Sequence, residues 1–199
     1  MNFLPGAGRG LHWLLACILV IGGWGGGTAS PGIRVSRVEA PARLIARQAL
    51  GQLLFFEPGL SANGKRSCAS CHRPEKAFCD QRALPRALRF TENLDRNSPT
   101  LLNATGQATF FHDGRAGSLA EVLTTVLTSP REFGSSYAEA TARLNTSPEY
   151  RRRFRRAFGP GAGIEPATLS AALAAYLGTL VGQAAPYDVM AAAVHDHLR

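Results

Sequence analysis

The sequence predicts an all-α fold, and three observations carry that expectation. Apolar residues recur at helical spacing from Leu44 to Phe55 (LIARQALGQLLF), with Leu44, Ala49, Leu50, Leu53 and Leu54 on one broad face. Glu165 to Leu180 is rich in Ala and Leu, both strong helix formers. No stretch alternates apolar and polar residues long enough to read as a strand.

The remaining elements follow in chain order. Ser30 to Ala40 is a loop-like entry with two prolines. Glu57-Pro58-Gly59 ends the first helix, and Ser61 to Lys65 forms a polar turn. Arg73 to Asn97 lacks periodicity and reads as a long loop. Asn97-Ser98-Pro99-Thr100 has the form of a helix start, with Pro99 in the first turn. Phe110 to Gly117 is a loop, and Ser118 caps a helix running to about Leu127 that Ser129-Pro130 breaks. Tyr137 to Leu144 and Ser147 to Phe158 are two further helices, the second opened by Ser147-Pro148. Gly159 to Gly163 turns the chain into the Ala- and Leu-rich helix. Pro186 precedes a short last helix, Tyr187 to Leu198.

The first thirty residues read as a signal peptide. Arg9 supplies the positive region, Leu11 to Trp24 an apolar stretch, and Gly25 to Ser30 the small residues near a cleavage site. The stretch is shorter than the roughly 20 apolar residues of a membrane span. Cleavage is expected near Ala29, with an uncleaved anchor as the main alternative and the only membrane contact expected. Residues 31–199 then form one exported, periplasmic domain. Of four cysteines, Cys17 leaves with the leader, and the odd remainder argues against a disulfide framework. The formal net charge of +8 comes with no nucleic-acid-binding motif. Arg151, Arg152, Arg153, Arg155 and Arg156 read as a solvated helix face, or alternatively as a docking patch for an acidic redox partner.

Cys68-Ala69-Ser70-Cys71-His72 is a CxxCH motif. Two thiols one turn apart can add to the two vinyl groups of a haem, and the next residue then presents its imidazole to the iron. A zinc site would need two more nearby Cys or His ligands, and a thioredoxin-like site would need a preceding strand; neither is present. The motif therefore predicts one covalent haem c on Cys68 and Cys71, with His72 as axial iron ligand. Such attachment occurs outside the cytoplasm, in agreement with the leader. Cys79 reads as a small buried side chain.

Around this motif the chain resembles the bacterial di-haem cytochrome c peroxidases and their MauG-like relatives. The resemblance lies in four ordered blocks: LGQLLFFEPGLSANGKRSCASCHRPEKAF (Leu50 to Phe78), RNSPTLLNAT (Arg96 to Thr105), FFHDGRAGSL (Phe110 to Leu119) and SPREFG (Ser129 to Gly134). It covers about residues 44–190. It implies a cytochrome c-like haem domain with additional C-terminal helices. It also implies a peroxidase-like oxidoreductase that reduces hydrogen peroxide with electrons from a cytochrome or a second haem. His72 stands where the family has the proximal ligand of its peroxide-reacting haem, and Glu132 where it has a distal glutamate. A carboxylate there can take a proton from one peroxide oxygen and return it to the other. Arg115 is a candidate partner for a haem propionate or the loop backbone, and equally for a structural pair with Asp113.

Three positions depart from the family pattern. His112 stands where many members carry Trp, and three roles are open to it: a second axial ligand, an electron-path residue, or a loop histidine. Val122 falls where a glutamine often partners the distal glutamate. Between Arg73 and Arg96 there is no His or Met to close the iron. An open iron, or ligation by His112, Met190, His195 or His197, follows, with the tail histidines read first as exposed residues. The family also carries a second CxxCH domain after the helix matching Ala167 to Val181, and this sequence reaches Arg199 without one. A second haem on another chain, a mono-haem relative and an incomplete sequence are the three readings. The functional alternative to a peroxidase is a mono-haem electron carrier or haem sensor.

Overall fold

The computed structural model describes residues 41–197. The expected leader, Cys17 and the Ser30–Ala40 entry lie outside them. Six α-helices carry the architecture: α1 (Pro41–Phe55), α2 (Leu119–Thr128), α3 (Tyr137–Thr146), α4 (Pro148–Phe158), α5 (Pro166–Leu177) and α6 (Pro186–His197). Among the described residues there is no strand, only isolated bridges such as Arg73 with Cys79 and Arg86 with Asn93. The all-α expectation holds.

The central seam is α1 against α5, with α4 on the flank of α1 and α2 on the flank of α5. Leu50, Leu54 and Phe55 from α1 share one core with Leu169, Ala172, Leu173 and Tyr176 from α5 and with Phe154 and Ala157 from α4. The helices touch backbone to backbone at Gly51. A Cβ there would lie 1.9 Å from the Ala172 carbonyl oxygen and 2.7 Å from Tyr176 Cβ. The lack of a side chain at that position sets the depth of the seam. Arg47 clamps the outer end, with Nε donating to the Ala157 carbonyl at 3.3 Å and its guanidinium 4.5 Å from the Phe158 ring centre.

Local chemistry explains where the helices begin. Ser118 accepts from Glu121 N at the start of α2, and Ser147 from Tyr150 N at the start of α4, where Pro148 occupies the first turn. Ser136 and Glu139 form a reciprocal capping box at α3. In α4 the arginines alternate with Phe154 and Ala157, which are fully buried. Arg152 and Arg153 pair with Glu149 in the first turn. Tyr150 donates to Glu57 Oε2 at 2.5 Å, while Glu57 Oε1 accepts from Gly59 N at 2.7 Å. This joins α4 to the turn that follows α1.

The structure corrects several expectations. Asn97 to Thr100 does not start a helix. It runs irregularly across the CxxCH segment, and the Thr100 hydroxyl donates to the Ala77 carbonyl at 2.5 Å. Only Ala104–Gly106 forms a short 3-10 turn there. The face of α1 is also rotated from the one expected. Leu50, Gly51, Leu54 and Phe55 are buried, whereas Leu44 and Leu53 are exposed. A helix crossing its partner at Gly51 buries the residues flanking that glycine. The helix predicted over Glu165–Leu180 stops at Leu177, where Gly178 caps it.

Candidate haem site

The Cys68–Ser70 segment forms one 3-10 turn, and His72 N donates to the Cys68 carbonyl at 2.9 Å. Cys68, Cys71 and Cys79 are free thiols, each partly buried. Burial pushes the Cys68 thiol up to about 12. It also raises Cys71, against the opposing pull of the Arg66 guanidinium. Cys79 faces away into its own turn, its thiol donating to the Lys76 carbonyl at 2.9 Å.

His72 is held by backbone. Its Nδ1–H donates to the Phe78 carbonyl oxygen at 2.9 Å, and the Pro99 carbonyl is a second backbone acceptor at the ring. Burial lowers its basicity and favours the neutral imidazole, the form that ligates a metal. Ala77 and Phe78 reach this arrangement with φ of 52° and 57°, both left-handed. Successive left-handed non-glycine residues are rare and cluster at functional sites. The turn also sets the Phe78 ring edge-on to Phe55 at 6.0 Å, which ties the ligand segment to α1.

The Cys68 thiol opens on an apolar cleft lined by Leu60, Leu123, Val126, Leu127, Phe133 and Leu173, with Tyr137 and Leu169 beside them. Two free thiols and one neutral imidazole on a CxxCH turn, facing an apolar wall, fit a covalently held haem. Among the described residues, no three His, Cys, Asp or Glu side chains gather as a metal cage. The donor set is that of an iron carried in a macrocycle, not of a zinc site.

Glu132 lies half-buried between Arg131 and Phe133. Burial raises its carboxyl above the usual carboxylate range, while the Ser129 hydroxyl and the charges of Arg66 and Arg115 oppose that rise. Its charge is felt in turn at Cys71. Glu132 thus acts on Cys71 through charge, with Arg66 opposing both shifts. Arg115 is exposed. It forms a forked pair with Asp113 at 2.8 and 3.0 Å and stacks 3.7 Å above Phe111. That pair holds the Asp113 carboxyl below its ordinary range. His112 is exposed and makes no hydrogen bond with another described residue. Met190 and His195 are exposed on α6.

Arg66 is the residue that sequence reasoning missed. It is 2% exposed, the most deeply buried cation of the site. Nη1 lies 3.2 Å from Cys71 Sγ, and Nη2 donates to the carbonyls of Arg86 at 2.5 Å and Ala87 at 2.8 Å. Its Nε is buried without a hydrogen-bond partner. In sequence it stands in a polar turn, where an arginine reads as solvated. The one available signal is that it lies two residues before Cys68.

Comparison with known proteins agrees with this geometry. The family model for the di-haem cytochrome c peroxidases matches residues 45–195. The methylamine utilization protein MauG of Methylorubrum extorquens is 40% identical over 141 residues, covering 70% of this chain and 39% of that protein. The cytochrome c551 peroxidase of Pseudomonas aeruginosa is 35% identical over 143 residues, covering 70% and 40%. Among solved structures, a MauG-like protein associated with microbial copper homeostasis superposes with a TM-score of 0.67 at 29% identity. It covers 75% of this chain and 44% of that one. The di-haem peroxidase BthA of Burkholderia thailandensis superposes at 0.59 and 31% identity, covering 67% and 38%. The chain thus spans about two-fifths of the length of the curated relatives it matches. With a cytochrome c-like helical fold, a CxxCH turn at Cys68–His72 and a family match over residues 45–195, the chain belongs to the di-haem cytochrome c peroxidase family.

Proposed function

We propose that the chain is the haem-bearing peroxidase unit of an exported, periplasmic c-type oxidoreductase that reduces hydrogen peroxide. Cys68 and Cys71 hold one haem c through thioethers, and His72 is its axial iron ligand. The observation that carries the reading is Glu132, a half-buried carboxyl whose proton affinity is raised by burial against the opposing charges of Arg66 and Arg115. Among the described residues, no helix is long and apolar enough to cross a membrane.

When bound, haem supplies the redox chemistry. The residues of the chain do the rest. The Phe78 carbonyl holds the His72 Nδ1 proton and so leaves Nε2 free to ligate. Leu123, Val126 and Phe133 keep water from the cleft. The Glu132 carboxylate takes a proton from one peroxide oxygen and returns it to the other, so that water leaves instead of hydroxide. Complete reduction to two waters needs two electrons and two protons. A single haem site stores only part of that demand, so an electron-donor cytochrome or a separate haem domain is the partner. Arg115, stacked on Phe111 beside Asp113, contributes positive charge at Glu132. His112, exposed on the same loop, is open to the roles of electron-path residue, second axial ligand or simple loop histidine.

The test is optical. High-spin ferric bands that change rapidly on adding peroxide are expected, with the reaction slowed on the order of a hundredfold in Glu132→Gln. A low-spin spectrum indifferent to peroxide would assign the chain instead to electron transfer or sensing.

A further inference from the structure

Glu132 sits in a segment gripped from two sides. The Arg131 carbonyl accepts from Leu88 N at 2.7 Å, and the Phe133 carbonyl accepts from Ala62 N at 2.9 Å. Glu132 N itself donates to the Ser129 carbonyl at 3.0 Å, and Gly134 N reaches the same oxygen at 2.7 Å. Both gripping segments lead to Arg66 and the CxxCH turn. Ala62 is four residues before Arg66, and Leu88 adjoins the two carbonyls that Arg66 holds. Asn63 adds a parallel tie, its Nδ2 donating to the Leu88 carbonyl at 3.1 Å.

Three segments therefore close into a ring: 62–66 to 86–88, 86–88 to 131, and 133 back to 62. Arg66 is the cation in this ring. It spans from Cys71 Sγ to the Arg86 and Ala87 carbonyls. The outer end of the 85–95 strap is fixed separately. There Arg131 donates to the Asn93 carbonyl at 2.5 Å and pairs with Asp95 at 2.6 Å.

A buried guanidinium without a carboxylate partner invites the idea of a haem propionate. The chemistry argues otherwise. Arg66 already has Nη1 beside Cys71 Sγ and Nη2 on the Arg86 and Ala87 carbonyls. Nη2 is instead held by two carbonyls of the strap, which is the work of a fastener.

We propose that Arg66 is a positioning residue: by tying the 86–88 strap to the haem-attachment turn, it fixes where the Glu132 carboxylate stands over the site. This rests on Glu132 being the proton-moving group. The consequence is that the effect of Arg66 on proton transfer runs through Glu132.

Cyanide gives a readout independent of peroxide turnover. Hydrogen cyanide must give up its proton to bind ferric haem as the anion, and the Glu132 carboxylate is the base proposed to take it. The association rate is followed by stopped-flow Soret absorbance near neutral pH. The proteins are the haem-loaded parent, E132Q, R66M and the double variant. E132Q is expected to slow association by about a hundredfold or more. R66M should slow it by at least about tenfold, since small misplacements of a proton-transfer group are costly. In the E132Q background, R66M should change the rate less than about twofold. R66K keeps the charge but not the planar fork, and should fall between parent and R66M. Should R66M fail to accumulate, R66K closes the same cycle with E132Q. An unchanged rate in the Arg66 variants, or slowing that multiplies with that of E132Q, overturns the inference and leaves Glu132 in place. An E132Q protein as fast as the parent overturns both.

Discussion

Substituting Gly51 by alanine tests the seam on which the site is built. The new Cβ would meet the Ala172 carbonyl oxygen at 1.9 Å, where ordinary contact begins near 3.4 Å. Neither partner can yield alone, because the obstructing atoms are helix backbone. The helices must part by about 1.5 Å. A gap of 0.5–1 Å already forfeits roughly a quarter to a half of a dispersion contact. The loss is felt across Leu50, Leu54 and Phe55 on one side and Leu169, Leu173 and Tyr176 on the other. Forced repacking of this kind costs about 3 kcal/mol, the upper end for overpacked cores. Alanine's better helix propensity returns roughly 1 kcal/mol. The net loss of about 2 kcal/mol lowers the melting temperature by roughly 4–8 °C for a chain of this size. Far-UV circular dichroism of the haem-loaded protein measures it. Gly161→Ala, with nothing within 4 Å of the new Cβ, is the matched control. A Gly51→Ala melt within a degree of the parent would refute the backbone-contact argument.

Two further predictions concern charge. Glu132 carries a raised proton affinity, so the folded state binds a proton that the unfolded chain has already released. Its contribution to stability is full below the unfolded value of 4.5 and is lost as pH rises through the raised folded value. Glu132→Gln should therefore melt higher than the parent near neutral pH and equal to it in acid. A melting difference independent of pH would contradict the burial argument. Tyr150→Phe removes the hydrogen bond to the Glu57 carboxylate and should cost about 1.5–3 kcal/mol in urea unfolding. Burial and Glu57 also push the Tyr150 hydroxyl up from 10.0, so this stabilisation is whole below that pH and fades above it. The gap between parent and variant should shrink in strong alkali.

The helix starts were legible because their signals are local. Ser118 and Ser147-Pro148 cap helices by bonds to residues three positions away, which a sequence window contains. Asn97-Ser98-Pro99-Thr100 carries the same kind of signal and misleads. Thr100 bonds to Ala77, 23 residues away, and Pro99 to the His72 ring, so long-range partners override the local pattern. The rotated face of α1 has a similar cause: Leu44 and Leu53 satisfy the helical period, but the crossing point at Gly51 decides which residues are covered. In the site, Cys68, Cys71 and His72 stand out in the sequence by spacing alone. Glu132 was legible only through the resemblance of its block, since an acid in a loop reads as solvated. Arg66 was not legible, because its burial comes from a strap twenty residues away.

The acceptor that steers the His72 imidazole is a main-chain oxygen, that of Phe78, presented by two left-handed residues. No exchange of one side chain for another deletes that oxygen. The orientation of the His72 ring responds instead to changes that re-bend the turn itself, for instance a proline or a deletion near Ala77. A replacement of the Phe78 ring that leaves the turn's backbone in place would therefore leave the acceptor where it is.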